Sequence, residues 1–466
     1  AAFLDQLKSA DTIGPLFANA NSARDVLEVI SQWHDSDANS IAFARFVCHY
    51  LYPDANAKPK PAVEGGGGSD HIHFDKAGYY LVVDTTPFNH GDFDHAYNSF
   101  LLMVTRDNWN VPITPKAEKP SVKKEVFDNF DNQDGTSTGV FGSSADHAIN
   151  EKFQFKLTAT LPASTDHAYD YYDTYAVCFK DTLSEGITYD GPDSVVIKSN
   201  NNTHDTTIDP SKYTIDTKNL ENQNYFEVNI HDVKACAKDA GFDLNDGATI
   251  TFTYTAHLNE KATVNTTSGP TDNKNSVQLQ YSNNPRPGDY WGTTPKSEVY
   301  VFTYQLNNTK YHDDDNPNNV LAGAGFRLYS NKDCTEEQEI KLKKNTTDGT
   351  YSPYFGTDAG DEMFSDEHGQ FNVKGLDAGT YYLKETNPPK DYSACANKEI
   401  VISATHDGNH VSLSGNLSTT IINKKDGGIT LPSTGGIGTT IFYVVGGGLM
   451  VAAIVLLVTK KRMENK

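Results

Sequence analysis

Cysteine is scarce in this chain. Cys48, Cys178, Cys236, Cys334 and Cys395 are five in 466 residues, too few and too scattered for a disulfide scaffold. None falls in a C-x-x-C pair, which removes the usual spacing of a structural zinc site. Basic residues are short as well: 39 Lys and Arg stand against 61 Asp and Glu, a formal charge of −22. Nucleic acid is thereby excluded as a natural partner, because phosphate binding needs clustered cations. There is no Gly-rich phosphate loop and no nucleophile elbow, so a hydrolase has no visible centre. The N-terminus has no signal peptide and opens in a helical pattern at Ala1-Ala2-Phe3-Leu4. The expectation is a fragment or processed form of an exported protein.

Aromatics, by contrast, are plentiful. There are 25 Tyr and 23 Phe against 4 Met, a balance that favours β-rich modules. The length suggests roughly three domains at ~150 residues each. The first fifty residues read as helix: Val26, Val29, Ile30 and Trp33 recur on one face behind Ser22 as N-cap. Ile41, Ala44, Val47, Cys48 and Leu51 repeat the pattern up to Pro53, with Cys48 a small buried hydrophobe. Gly65 to Gly68 form a loop, followed by strand-like runs at His71–Phe74, Tyr79–Val83 and Phe100–Val104. A Pro- and Lys-rich stretch, Pro112 to Pro120, reads as a linker. Beyond it short Val, Ile, Tyr, Phe and Thr runs alternate with Gly, Asn and Asp turns, as in sandwich domains. A boundary is expected near Pro295, where one long strand, Ser297–Leu306, begins. The expected units are residues 1–116 (α+β), 117–295 and 296–425 (tandem Ig-like β-sandwiches) and 426–466.

The last unit carries an apolar run from Ile441 to Val458, long enough to span a bilayer, closed by Lys460-Lys461-Arg462 on the cytoplasmic side. Leu431-Pro432-Ser433-Thr434-Gly435 stands just before it. Motif, span and basic stop in this order resemble the LPXTG sorting signal of Gram-positive surface proteins. The resemblance implies that a sortase cuts between Thr434 and Gly435 and transfers the Thr434 carbonyl to an amine.

Three blocks in residues 296–425 are similar to the CnaB-type Ig-like domain of sortase-assembled pilins. They are Leu321-Ala322-Gly323-Ala324-Gly325-Phe326-Arg327-Leu328-Tyr329, then Gly369 to Leu376, then Tyr381-Tyr382-Leu383-Lys384-Glu385-Thr386. In that family a first-strand lysine and a last-strand asparagine form an isopeptide bond promoted by the glutamate of the last block. The matching residues are Lys310, Asn423 and Glu385. Strand parity agrees independently, since Lys310 shares a face with Tyr304 and Leu306, Asn423 with Ile421, and Glu385 with Tyr381 and Leu383. Burial would leave the amine and the carboxyl uncharged, and a neutral amine is a nucleophile.

Residues 117–295 resemble the middle domain of SpaA/FimA-type backbone pilins. The segments are Pro120-Ser121-Val122-Lys123-Lys124-Glu125-Val126, Tyr175 to Asp181, and Val277 to Pro285. Parity selects Lys124 over Lys123 and Asn283 over Asn284, with Asp181 as the promoting acid. Residues 1–116 offer no such triad: in Gly78 to Thr85 the acid, Asp84, falls one residue late and so on the other face.

Val111-Pro112-Ile113-Thr114-Pro115-Lys116 resembles the pilin motif, whose terminal lysine accepts the next subunit. Lys116 is the expected acceptor, with Lys119 and Lys123 as rivals. An exported chain could pair Cys334 with Cys395, or less favourably Cys178 with Cys236. His71 and His73 would share one strand face without a third ligand nearby, and Asp313-Asp314-Asp315 lacks calcium-loop spacing. Neither metal nor cofactor is expected.

The whole is expected to be a structural backbone pilin of a wall-anchored fimbria on a Gram-positive surface. Its implied partners are sortase, further copies of itself, tip and basal pilins, peptidoglycan and a host glycan or matrix ligand. The alternative is a monomeric LPXTG-anchored adhesin.

Overall fold

The computed structural model describes residues 2–33, 37–51, 53, 76–82, 100–104, 119–131, 137–165, 167–283, 291–414 and 417–425. Helices Ala2–Lys8, Ala23–Ile30 and Ala38–Leu51 open the chain. The second begins where expected. The Ser22 side chain accepts from the Asp25 amide, and the Asp25 carboxylate accepts from the Ser22 amide, a capping box. It ends at Ile30, so Trp33 packs from the following turn, edge-on to Phe17 and Phe43 in a small core with Leu7, Val26 and Ile30. Strands Gly78–Val82 and Phe100–Val104 pair antiparallel beside these helices.

The middle unit is a sandwich of two sheets. Six strands lie in the order Ser137–Gly142, Ser121–Asp131, Lys152–Leu161, Ala248–Leu258, Ile187–Ser199, Thr206–Thr207. The facing sheet runs Tyr213–Asp216, Tyr225–Ile230, Val177–Leu183, Lys274–Ser282, Ser297–Phe302, Ser144–Asp146, with Trp291–Thr293 also on Lys274–Ser282. Burial alternates strictly along Lys152–Leu161 and Ala248–Leu258, so each strand presents one apolar face to the other sheet. Phe155, Leu157, Phe252 and Tyr254 from one sheet meet Val177, Phe179, Val277 and Leu279 from the other.

The C-terminal unit is a second sandwich. Leu342–Lys344, Tyr351–Pro353, Val373–Leu376, Tyr304–His312 and Ser418–Asn423 form one sheet. The other runs Gly269–Pro270, His410–Ser414, Lys398–Asp407, Gly379–Asn387, Gly325–Tyr329, Glu339–Ile340, with Met363–Phe364 on Gly325–Tyr329. Its first and last strands, Tyr304–His312 and Ser418–Asn423, are parallel neighbours. The described chain is thus mainly β, with three helices at its start and the short helices Leu220–Gln223 and Val233–Asp239 in the middle unit. Among the described residues no helix is long and apolar enough to cross a membrane; the apolar run from Ile441 to Val458 lies outside them.

One expectation is corrected here. Ser297–Leu306 is not a single strand: it is interrupted at Thr303, and its two parts belong to different sandwiches. Ser297–Phe302 is hydrogen-bonded into the middle unit, and Val299 and Val301 are buried in that core. Tyr304–His312 opens the C-terminal unit. The change of sandwich therefore falls at Thr303 and not near Pro295.

The two sandwiches also touch beyond this strand, where the Ile149 amide donates to the Gly375 carbonyl oxygen at 2.9 Å. Gly375 has φ +87°, and a Cβ there would lie 2.4 Å from Ile149 Cγ1. Gly375→Ala is expected to destabilise the protein by about 1–3 kcal/mol through the positive φ and this clash. Thermal unfolding followed by circular dichroism measures it; an unchanged melting temperature would show that the joint can yield.

Candidate functional site: two buried lysine–carboxyl–asparagine clusters

In the C-terminal sandwich the parallel pairing of the first and last strands sets Lys310 beside Ile421 and His312 beside Asn423. Lys310 therefore reaches along its strand toward Asn423. Its Nζ donates to Asn423 Oδ1 at 2.5 Å, and Asn423 Nδ2 donates to Glu385 Oε1 at 2.7 Å. Lys310 Nζ lies 3.6 Å from the same carboxylate oxygen, with both side chains excluded from solvent. The second glutamate oxygen accepts from the Cys395 amide at 2.8 Å, which fixes the carboxyl plane. Phe326 covers the amine, its ring centroid 5.5 Å from Nζ. Burial lowers the Lys310 pKa, and Cys395 and Glu385 only partly oppose this. The structure thus brings Lys310, Glu385 and Asn423 together, as the parity of their strands suggests.

The middle sandwich holds a comparable cluster with a different asparagine. Lys124 Nζ makes a short contact with Asp181 Oδ2, and both side chains are fully buried. Tyr254 caps the pair. It receives a 3.2 Å hydrogen bond from Lys124 Nζ and donates to Asp181 Oδ1 at 3.1 Å. The amide in this cluster is that of Asn275, whose Nδ2 donates to the Tyr254 hydroxyl that Asp181 also shares. Asn275 is 0% exposed, and its Oδ1 has no hydrogen-bond partner. Burial pulls the Lys124 pKa down to about 8 against the attraction of Asp181, and pushes the Asp181 carboxyl up. Both shifts favour the uncharged pair.

Asn283 is therefore corrected. Asp181 stands opposite Val277 in the antiparallel pairing, with Leu183 opposite Asn275. Asn275 is two residues along the strand from Val277 and Asn283 six, the latter a span of roughly 20 Å at ~3.4 Å per residue. Asn283 is buried, but beyond the end of Lys274–Ser282 and away from Asp181. The two asparagines share parity, so alternation selects the face correctly and leaves the position open. Tyr254 is a further residue that sequence reading missed. It looks like one more aromatic in the alternating run Ala248–Leu258, and only the packing of that strand over Asp181 gives its hydroxyl a role.

The cysteine pairing is also corrected. Cys334 and Cys395 are free thiols, as are Cys178 and Cys236. Cys334 has φ 51° in a turn, and its sulfur accepts from Asn397 Nδ2 at 3.2 Å. The Cys395 backbone is committed to Glu385. Cys48 is buried, as expected of a small apolar side chain. Lys119 and Lys123 are exposed. Lys116, His71, His73, Asp84 and the segment Leu431, Pro432, Ser433, Thr434, Gly435 lie outside the described residues.

Comparison with known proteins gives two family matches. A family described as "SpaA: Prealbumin-like fold domain" matches residues 307–417, and the "LPXTG cell wall anchor motif" family matches residues 423–465. No curated protein matches the chain. Among solved structures, a C-terminal fragment of the major pilin GBS80 of Streptococcus agalactiae is 21% identical, with a TM-score of 0.46, covering 66% of this chain and 100% of that one. The full-length major pilin SpaD from Corynebacterium diphtheriae is 20% identical, with a TM-score of 0.46 and coverages of 78% and 80%. The major pilin SpaA of the same organism is 14% identical, with a TM-score of 0.47 and coverages of 81% and 88%. A SpaA prealbumin-like domain is thus followed directly by an LPXTG cell-wall anchor, the signal that places a chain on the Gram-positive cell wall.

Proposed function

We infer that this chain is the backbone subunit of a covalently polymerised pilus, in which sortase joins Thr434 of one copy to Lys116 of the next. The observation that supports this most is the recurrence of one buried cluster, a lysine, a carboxyl group and an asparagine, in two successive sandwiches ahead of a wall-sorting signal. Buried ion pairs add little stability to a fold compared with apolar packing, so two such clusters call for a chemical role. In each, the neutral lysine Nζ attacks the asparagine Cγ and the new C–N bond forms as the C–NH2 bond breaks. The carboxyl group beside each amide takes the lysine proton during attack and passes it to the departing ammonia. The products are Lys310–Asn423 and Lys124–Asn275 amides, promoted by Glu385 and Asp181.

The chain turns over no substrate in this reading. Each crosslink forms once, and the molecule serves as a structural polymer whose partners are sortase, further copies, accessory tip and basal pilins and the peptidoglycan. Adhesion to host glycan or matrix would be a property of the assembled fibre. The solved structures named above are described as major pilins, the role proposed here.

Immunoblots of cell-wall extracts test polymerisation. The wild type is expected to give a ladder of high-molecular-weight species, and Lys116→Ala a single exported, wall-linked band. A wild type that itself runs as one band would make the chain a monomeric wall-anchored adhesin. A ladder that survives Lys116→Ala would move the acceptor to Lys119 or Lys123.

A further inference from the structure

The joint between the two sandwiches holds an imidazole with one nitrogen that makes no hydrogen bond. His147 follows strand Ser144–Asp146 and is 1% exposed. Its ring lies flat on Phe153, with centroids 4.1 Å apart and 2° between planes. Nε2 is 2.7 Å from the Phe127 carbonyl oxygen. A carbonyl can only accept, so the proton of the neutral ring belongs on Nε2 and Nδ1 carries the lone pair. Nδ1 is buried without a hydrogen-bond partner. It faces Glu151, whose Oε1 is 3.5 Å away, and Asp377 of the C-terminal sandwich. One donor atom from each of the three residues lies within 4.8 Å of the others. A lone pair and two carboxyl groups set this close favour a positive charge between them.

We propose that His147 Nδ1, Glu151 and Asp377 bind a divalent transition cation of the zinc type that staples the middle sandwich to the C-terminal one. The donor set selects the ion: imidazole with carboxylates suits zinc, whereas calcium and magnesium take oxygen ligands. Ligands held at ~2.0–2.2 Å around a tetrahedral ion are about 3.4 Å apart, and His147 and Glu151 already have that separation. The outer partners are of the kind that orient ligands. His147 gives its other N–H to a backbone carbonyl, and Glu151 accepts from Ala148 N at 2.9 Å and Asn129 Nδ2 at 3.3 Å. Asp377 accepts from Ala378 N at 2.7 Å. Glu151 and Asp377 are only partly buried, which leaves the ion a way in.

A neighbouring group, Asp128, Asp146 and His406, is as closely spaced but is complete without an ion. His406 Nδ1 pairs with Ser144 Oγ at 2.8 Å, its Nε2 lies 3.4 Å from Asp128 Oδ2, and Asp146 accepts from the Tyr304 hydroxyl at 2.9 Å. His406 has a neighbour at each ring nitrogen and a hydrogen bond at Nδ1, whereas His147 Nδ1 makes no hydrogen bond and faces only carboxyl oxygens.

Calorimetric titration of the metal-stripped full chain with ZnCl2 tests the site. Wild type is expected to take up an ion whose affinity falls at least ~10-fold in both Asp377→Asn and Glu151→Gln. Zinc should also raise the melting temperature of wild type but not of Asp377→Asn. His71→Ala combined with His73→Ala should leave this uptake intact. The carboxylate variants carry the test because His147 sits in the core, where its replacement threatens folding itself. Absence of zinc uptake by folded wild type, uptake undiminished in both carboxylate variants, or equal protection by CaCl2 would overturn the proposal.

Discussion

Asn275→Ala is expected to eliminate one internal crosslink, and Asn283→Ala none. Purified wild-type protein should weigh less than its sequence by two molecules of ammonia, one for each bond. Asn275→Ala, Lys124→Ala and Asp181→Ala should each recover one ammonia relative to their own sequence masses, as should Glu385→Ala in the C-terminal sandwich. The contrast between the two asparagines follows from register. Asn275 shares the Tyr254 hydroxyl with Lys124, whereas Asn283 lies past the strand end. Each lost bond should also lower stability by ~2–5 kcal/mol, by analogy with a disulfide closing a long loop. Intact mass and tryptic mapping of the crosslinked peptides measure the first effect, and thermal unfolding the second. A wild-type mass equal to the sequence mass would remove both bonds, and a crosslink mapped to Asn283 would overturn the register argument.

Under tension between Lys116 and Thr434, the wild-type chain should lengthen far less than its size allows. With Lys124 joined to Asn275 and Lys310 to Asn423, the residues enclosed by each loop carry no load. The interior segment left in the path is 275–310, which at ~3.3–3.6 Å per residue supplies at most about 120 Å. That segment includes Ser297–Phe302, held by ladder hydrogen bonds worth only ~1 kcal/mol net each, so it should yield first. Glu385→Ala or Asp181→Ala should each add an extension of several hundred ångström, because more than a hundred residues are released. Single-molecule force spectroscopy reads this directly. Steps of several hundred ångström in wild type would show that the loops are open.

Much of this was legible in the amino-acid order, and the failures share a cause. The helical start and the β-rich remainder rest on local periodicity, which residues carry with them, whereas Lys310, Glu385 and Asn423 come from the resemblance to the CnaB-type domain, with strand parity in agreement. Asn275 was overlooked because periodicity fixes only the face. Asn275 and Asn283 alternate in phase, and choosing between them needs the pairing of Lys274–Ser282 with Val177–Leu183, a contact distant in sequence. The change of sandwich at Thr303 was missed for a related reason. Pro295 offers a visible break, whereas Thr303 lies within an unbroken alternation of apolar residues. His147, Glu151 and Asp377 were invisible because two come from one sandwich and the third from the other. The free thiols show the reverse: Cys334 and Cys395 lie in one unit, yet their local backbones turn them to other partners.

The placement of Ser297–Phe302 has a practical corollary for anyone producing pieces of this protein. A fragment ended at Pro295 would lack the strand that lies between Lys274–Ser282 and Ser144–Asp146. Both neighbours would then present unsatisfied backbone edges, the template on which chains self-associate, and the core would lose Val299 and Val301. Such a piece should be poorly soluble however sound its triad. Extending it through Phe302 restores the sheet, while a C-terminal piece begun at Tyr304 still forgoes the Gly269–Pro270 strand it borrows from its neighbour. Antigen or binder work on either sandwich is therefore best done on the pair.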